Sequence, residues 1–279
     1  MEKAVRQAVT FIRSRYHDPI TLSDVAAEVF VSPYHFSRIF SRSVGLTPGR
    51  YLTAVRLFAA KRMLLTTDLT VSDIVCSVGY NSVGTFTSRF TRAVGMSPTQ
   101  YRTPDVARMV VAASDDFARL PGLGDMVEAR RHRQIPPEGN GTLSGSLNVP
   151  LSAGRADALV AVFGDAAPQG APLAFEAFPA HGRTEFEVTG VPRGSHHVIA
   201  VAMSYGSGME EERVLTAGTR RHVTVEPGLD AYVSLRMGPA GETAPPIAVT
   251  LAHTPGAPAS VADADVPRPR EHSLQSTVV

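Results

Sequence analysis

The sequence predicts a multidomain chain, α then β: an all-α front built from a repeated helical unit, followed by an antiparallel β-sandwich. Three observations carry that prediction. Through about residue 102, apolar residues recur at helical spacing between capping residues. SRSVGLTPGRY at 41 to 51 returns fifty places later as TRAVGMSPTQY at 91 to 101. Beyond residue 143 the texture changes to short alternating runs set off by Gly, Pro and Asp. At 279 residues and 43% hydrophobic content the chain is long enough for two cores.

The helices follow in order. Val5, Ala8, Val9 and Ile12 keep the i, i+3, i+4, i+7 spacing of a one-sided helix, which His17-Asp18-Pro19 stops. Thr21-Leu22-Ser23-Asp24 reads as a capping box opening a short helix to about Val29. Ser32-Pro33 is an N-cap with proline in the first turn, and its helix runs to about Val44, where Gly45 supplies a left-handed stop. Thr47-Pro48 starts a longer helix to about Leu65, with Tyr51, Leu52, Val55, Phe58, Ala59 and Met63 expected on one face. The pattern then restarts. Thr70-Val71-Ser72-Asp73 is a second capping box, Ile74, Val75 and Val78 line its helix, and Gly79 ends it. Asn81 or Ser82 caps the next helix, Gly95 closes it, and Ser97-Pro98 repeats the cap-and-proline start.

Shifted by fifty, Phe36, Phe40, Arg42, Val44, Gly45, Pro48 and Tyr51 coincide with Phe86, Phe90, Arg92, Val94, Gly95, Pro98 and Tyr101. One helical unit therefore occurs twice, bridged by the 47 to 65 helix. Two short helices joined by a tight turn, the second amphipathic, describe a helix-turn-helix whose second helix fits a DNA major groove about 12 Å wide. In the first unit Phe36, Ile39, Phe40 and Ser43 are expected inside, leaving Tyr34, Ser37, Arg38 and Ser41 outside. In the second, Val83, Phe86 and Phe90 are expected inside, and Gly84, Thr87, Ser88 and Thr91 outside. Short hydroxyls, glycine and one Arg suit close approach to base edges, where Arg reads guanine and Thr methyls meet thymine. Arg42, Arg50, Arg89 and Arg92, with the helix starts at Ser32 and Ser82, are candidates for phosphate. The bridging helix of about nineteen residues spans roughly 28 Å, so two such helices could enter successive grooves on one DNA face.

Charge agrees with a polyanion partner without demanding one. Residues 1 to 102 hold 13 Lys and Arg against 6 Asp and Glu, whereas the remainder holds 14 against 20. No apolar run reaches membrane-spanning length and MEKAVRQAV lacks a secretory layout, so a cytoplasmic protein with no membrane partner is expected. Cys76 is the only cysteine, which excludes an internal disulfide, and among Ile74, Val75 and Val78 it is expected buried.

Residues 5 to 102, carrying LSDVAAEVFVSPYHFSRIFSRSVGLTPGRYL and VRLFAAKRMLLTTDLTVSDIVCSVGYNSVGTFTSRFTRAVGMSPTQYR, resemble the DNA-binding domain of the AraC/XylS family of bacterial transcription regulators. The resemblance implies binding to double-stranded promoter DNA and control of transcription, activation included, with RNA polymerase a further candidate partner. By position it places base-reading residues at Pro33, Tyr34, Ser37 and Arg38, and at Val83, Gly84, Thr87 and Ser88. Family members often carry long polar side chains where Val83 and Gly84 stand, so the second unit is expected to read thymine methyls and DNA shape. In most members the sensing domain comes first, and here the order is reversed.

The expected boundaries are 1–103 for the helical domain, 104–140 for a helical or irregular linker, 141–253 for the sandwich and 254–279 for a disordered tail. Within the linker, Asp105 to Leu120 reads as a helix with Val106, Met109, Val110 and Phe117 on one side. ARRHRQIPPEGNG reads as a solvated connection whose basic cluster Arg130, Arg131, His132 and Arg133 is a lesser candidate for phosphate. Strands are expected at LSGSLNV, ALVAVFG, PLAFEAF, TEFEVTGV, HHVIAVAMSY, RVLTA, RHVTVEP, AYVSLRM and IAVTLA. FEVTGVPRGSHHVIAVAM resembles the carboxypeptidase-regulatory-like or prealbumin-like sandwich, a resemblance that implies no catalysis. His196-His197 would point one ring to each face of a strand and so chelates no metal, with one ring packed and the other at the surface. Glu210-Glu211-Glu212 reads as a solvated turn, and GDAAPQGAP as a loop without the GK[ST] of a phosphate cradle. No catalytic constellation, cofactor or metal site is expected. The sandwich is left with three roles: sensing a small-molecule effector, self-association, or, in an alternative reading, a DNA-tethered carbohydrate-binding or enzymatic module.

Overall fold

A computed structural model describes residues 2–133, 140–205, 213–229 and 231–252. Helix α1 (Glu2–Arg15) buries Val5, Ala8, Val9 and Ile12. α2 (Leu22–Glu28) opens on the Thr21/Asp24 capping box, in which the Thr21 hydroxyl accepts from the Asp24 amide and the Asp24 carboxylate accepts from the Thr21 amide. The Thr21 amide and hydroxyl, both donating to the Asp24 carboxylate, hold that carboxyl below its ordinary range. α3 (Pro33–Val44) is capped by Ser32 and stopped at Gly45, φ +81°. α4 (Pro48–Thr66) is followed by α5 (Val71–Ser77), α6 (Val83–Val94), stopped at Gly95, and a single turn, α7 (Pro98–Tyr101).

The repeat extends to the packing. Phe36, Phe40 and Tyr51 lie at ring-centroid distances of 5.4 and 5.6 Å, and Phe86, Phe90 and Tyr101 at 5.5 and 5.7 Å. All six rings are fully buried and form the hearts of two separate cores. The turns between α2 and α3 and between α5 and α6 also match: the Val31 amide donates to the Ala26 carbonyl and the Tyr80 amide to the Val75 carbonyl, each at 3.1 Å. Such a turn needs one left-handed residue. In the second unit it is Gly79, where a Cβ would stand 2.8 Å from the Tyr16 and His17 carbonyls. In the first it is Phe30, at φ +57° and 92% exposed.

Four expectations in this region are corrected. α4 is not one-faced: Leu57, Phe58, Ala59, Ala60 and Lys61 are buried in succession, because the helix runs between both units and the β domain, while Leu52 and Met63 are half-buried. Ser43 is exposed, with Val44 turned partly inward instead. Val83, in the first turn of α6 and outside its Phe86–Phe90 stripe, is 40% exposed. Cys76 is exposed because Ile74, Val75 and Val78 take the inward arc of a seven-residue helix, leaving Cys76 and Ser77 to solvent.

The segment expected as a linker is a structural seam. After α8 (Pro104–Arg108) the chain forms strands β1 (Val110–Ala113) and β2 (Ala118–Arg119), then α9 (Leu123–Arg131). No helix runs from 105 to 120. The four residues of β1 are buried on both faces: Val110 and Ala112 complete the second helical core, and Val111 and Ala113 pack on the β domain. A strand covered on both sides has no alternation, so it resembles one stripe of a helix. The Ser114 hydroxyl accepts from the Phe117 amide and closes the β1–β2 turn. Residues 134–139 of the expected connection lie outside the described residues, and two of the arginines before them are engaged by the β domain. Arg130 pairs with Glu176 at 3.3 Å and donates to Thr189, and Arg133 donates to the Pro172 and Leu173 carbonyls.

The β domain stacks two sheets. β3 (Asn140–Asn148), β6 (Arg183–Pro192) and β10 (Ala231–Arg236) form one, in the order β10-β3-β6. β4 (Arg155–Phe163), β5 (Ala174–Ala180), β7 (Gly194–Tyr205) and β8 (Arg213–Gly218) form the other, in the order β5-β4-β7-β8, with β9 (Val223–Val225) on β7. Their facing sides bury Leu143, Val160, Phe186, Val198, Ala200 and Leu235. Pairing is antiparallel except that β10 runs parallel to β3. The last strand, β11 (Ile247–Thr250), leaves the sandwich to pair with β1, in the order β11-β1-β2. The seam sheet and α9 cover the outer face of the larger sheet through Met126, Phe163, Phe175 and Val249. Glu210-Glu211-Glu212 and the 254–279 tail lie outside the described residues.

Candidate nucleic-acid interface

α3 and α6 each bury their phenylalanine stripe and present a polar outer face. Tyr34 is 75% exposed, and Pro33, Arg38, Gly84 and Ser88 are also exposed, while Ser37 and Thr87 are half-buried at the flanks. Gly84 has no atom within 4 Å of where a Cβ would stand, so the second helix offers a smooth first turn with Val83 beside it. The Arg38 guanidinium lies 5.8 Å from the centre of the Tyr34 ring, one helical turn back. That contact orients the long side chain along the outer face.

The starts of α3 and α6 are capped alike. The Ser32 and Ser82 hydroxyls accept from the His35 and Thr85 amides at 3.4 and 3.3 Å, leaving each hydroxyl proton to donate outward. Arg42, Arg89 and Arg92 are exposed, and neither they nor Arg38 make an ion pair or hydrogen bond among the described residues. Neither α3 nor α6 contains an acidic residue. This is a sequence signal stronger than net charge: residues 29 to 67 and 74 to 104 are free of Asp and Glu.

Arginines facing the β domain behave differently. Arg50 is ion-paired with Asp165, Arg62 with Asp116, and Arg13 with Asp115 at 2.6 Å. Of the arginines expected to hold phosphate on the two helix-turn-helix units, Arg50 is therefore the one already held by a carboxylate. Arg56 is structural, donating to the Tyr16 and Asp18 carbonyls at 2.7 Å each.

No local pattern marks Lys61 as a buried residue. It is fully buried in α4, and its ammonium donates to the Gln169 backbone and side-chain oxygens at 2.7 and 3.0 Å and to the Ala248 carbonyl at 2.7 Å. Burial pushes its pKa down to about 7.

Elsewhere, a cleft of about 200 Å³ between α1, α4 and the β1–β2 turn has Arg13 and Arg62 on its rim, but Asp115 and Asp116 occupy both guanidinium groups. Both rings of the His196-His197 pair are buried, which corrects the expected surface histidine. His196 hydrogen-bonds the Pro192 carbonyl at 2.7 Å, and His197 packs 4.3 Å from His222; burial, then the neighbouring His222, holds His197 below the ordinary histidine range. Among the described residues no three His, Cys, Asp or Glu side chains converge as metal ligands, and no helix is long and apolar enough to cross a membrane.

Residues 25–104, spanning both repeated units, match a family model described as a helix-turn-helix domain. The lactose operon transcription activator of Staphylococcus xylosus is 35% identical over 98 residues, 35% of each chain. The transcriptional activator AarP of Providencia stuartii is 30% identical over 101 residues, 36% of this chain and 75% of AarP. A solved DNA-binding domain of the transcription factor AdpA, in complex with target DNA, is 28% identical over 37% of this chain and 94% of that one, with a TM-score of 0.36. The chain spans about a third of the length of the first curated relatives it matches. With both units matched in sequence and three quarters of AarP covered, the chain belongs to the AraC/XylS family of transcription regulators.

Proposed function

We propose that this chain is a sequence-specific DNA-binding transcription regulator in which α3 and α6 enter successive major grooves of one duplex. The observation that carries the reading is the division among the arginines. Those on the outer faces of the two helices are unpaired, and those turned toward the β domain are matched by carboxylates. Unpaired guanidiniums on acid-free helices are what a phosphate backbone neutralises with release of counterions. Pro33, Tyr34, Ser37 and Arg38 read bases in one half-site, with Val83, Gly84, Thr87 and Ser88 reading the other. Ser32, Arg42, Ser82, Arg89 and Arg92 hold phosphates, while the Arg50 guanidinium stays with Asp165. Relatives named as activators and operon regulators support promoter DNA as the target and a non-enzymatic role. The sandwich senses a ligand or mediates self-association.

Two substitutions separate the roles. Arg38→Ala relaxes base preference in one half-site at a cost of about 1–3 kcal/mol, whereas Arg92→Ala weakens binding evenly across sequences and lowers the salt slope by about one. Fluorescence anisotropy on a selected site and its half-site mutants, over a salt series, reads both. Equal losses on every sequence from both variants refute the assignment.

A further inference from the structure

We propose that the β4–β5 loop, residues 164 to 173, is a splint that fixes the separation of the two helix-turn-helix units and thereby selects the half-site spacing of the DNA. This rests on the DNA-binding reading above.

The loop touches the helical domain at three places. Asp165 pairs with Arg50 at the first-unit end of α4, and Ala166 and Ala167 pack onto the first core. Gln169 supplies two of the three oxygens that surround the buried Lys61 ammonium in the middle of α4. Gly170 lies against the end of α6, where a Cβ would stand 3.0 Å from the Ala93 carbonyl and 3.4 Å from that of Val94. One short loop therefore reaches the first unit, the rod and the second recognition helix.

The loop is built stiff. Asp165 Oδ1 accepts from the Ala167 amide at 3.0 Å, Pro168 and Pro172 are buried, and the Leu173 amide closes the base on the Val162 carbonyl at 2.7 Å. Its far side is anchored by the guanidinium of Arg133 on the Pro172 and Leu173 carbonyls. The two units also meet along α4 and where Gly79 packs under the Tyr16 and His17 carbonyls. Those contacts sit on the helical domain alone. The loop adds a brace anchored in the sandwich, so anything that shifts the sandwich is transmitted to the groove spacing.

One added base pair moves a half-site by about a tenth of a helical turn, both along and around the axis. A braced pair of units resists that displacement and a loosened pair follows it. The test compares the intact chain with Gly170→Leu, which pushes the loop off α6, and with Asp165→Ala/Gln169→Ala, which removes its side-chain ties to Arg50 and Lys61 and leaves the Gln169 backbone carbonyl in place. Affinity is measured on duplexes whose two half-sites are moved apart or together one base pair at a time. Wild type is expected to lose roughly tenfold or more per base pair of displacement, the scale of a lost base contact. Both variants are expected to bind the original spacing within a few-fold and to flatten the dependence.

A second measurement needs no DNA. Ser43→Cys is paired with the native, exposed Cys76, both are spin-labelled, and the distance distribution between the units is recorded. One narrow distance that broadens in the loop variants supports the splint. An unchanged distribution and an unchanged spacing profile overturn it while leaving the DNA-binding reading intact. Absence of sequence-specific binding at any spacing, with the distance broadening present, overturns the DNA-binding reading and the spacing role together.

Discussion

Lys61→Met is the substitution that tests the packing of α4 most sharply. The side chain is fully buried and its folded-state pKa is lowered by burial to about 7, against about 10.4 in the unfolded chain. Below pH 7 both states carry the proton, and the full cost of burying the charge is present. Between pH 7 and 10 the unfolded chain holds a proton that the folded chain has released, so stability rises with pH at about 1.4 kcal/mol per unit, up to about 4 kcal/mol across the window. Methionine keeps the length of the side chain and removes the titration. It also strands the Gln169 and Ala248 carbonyls, so the absolute change at one pH mixes two effects. The pH dependence of the difference isolates the charge. Urea unfolding followed by circular dichroism at pH 6, 7, 8 and 9 gives it directly. Burial raises the Tyr51 and Tyr101 pKa values, so their stabilising contribution is complete below pH 10 and lost only above it, outside the range measured. A wild-type minus variant difference that stays flat from pH 7 to 9 would refute the burial-lowered pKa of Lys61.

Three further predictions concern local energetics. Phe30→Gly should raise stability by about 1 kcal/mol, because a 92% exposed phenylalanine loses little burial and a left-handed L-residue carries that order of strain; a drop in melting temperature contradicts the turn geometry. The Tyr101 hydroxyl is buried without a hydrogen-bond partner among the described residues, whereas Tyr51 donates to the Ala244 carbonyl and accepts from Arg13. Tyr101→Phe should therefore be neutral or stabilising by up to about 1 kcal/mol, and Tyr51→Phe destabilising by a similar amount; the reverse order in denaturant unfolding counts against the packing. Thr21→Ala and Thr70→Ala should each cost about 1 kcal/mol through loss of equivalent capping boxes, and clearly unequal costs would break the equivalence of the two units.

The helical domain was legible because its signals are local. Capping residues at Thr21, Ser32, Thr70 and Ser82, with glycines at 45 and 95, mark helix ends within a few residues of chain, and each has its echo 49 or 50 residues away. What failed depended on distant partners. Val110 to Ala113 reads as part of a helix until β11, more than a hundred residues later, supplies its neighbour. Lys61 looks like a surface residue until Gln169 and Ala248 arrive around it. Arg50 looks like a free cation until Asp165 faces it. The outer faces of α3 and α6 were legible in large part because they need no partner from this chain, although Val83 and Ser43 were misplaced by treating the apolar stripe as wider than it is.

The central claim is that one chain lays two helices into consecutive major grooves. Methylation-interference mapping on a site selected from random duplexes, at protein concentrations where the chain is monomeric, tests it most directly. Two clusters of interfering purines are expected about one helical turn apart on a single face of the DNA, one lost with Arg38→Ala. A single cluster, or binding insensitive to every purine, would contradict it.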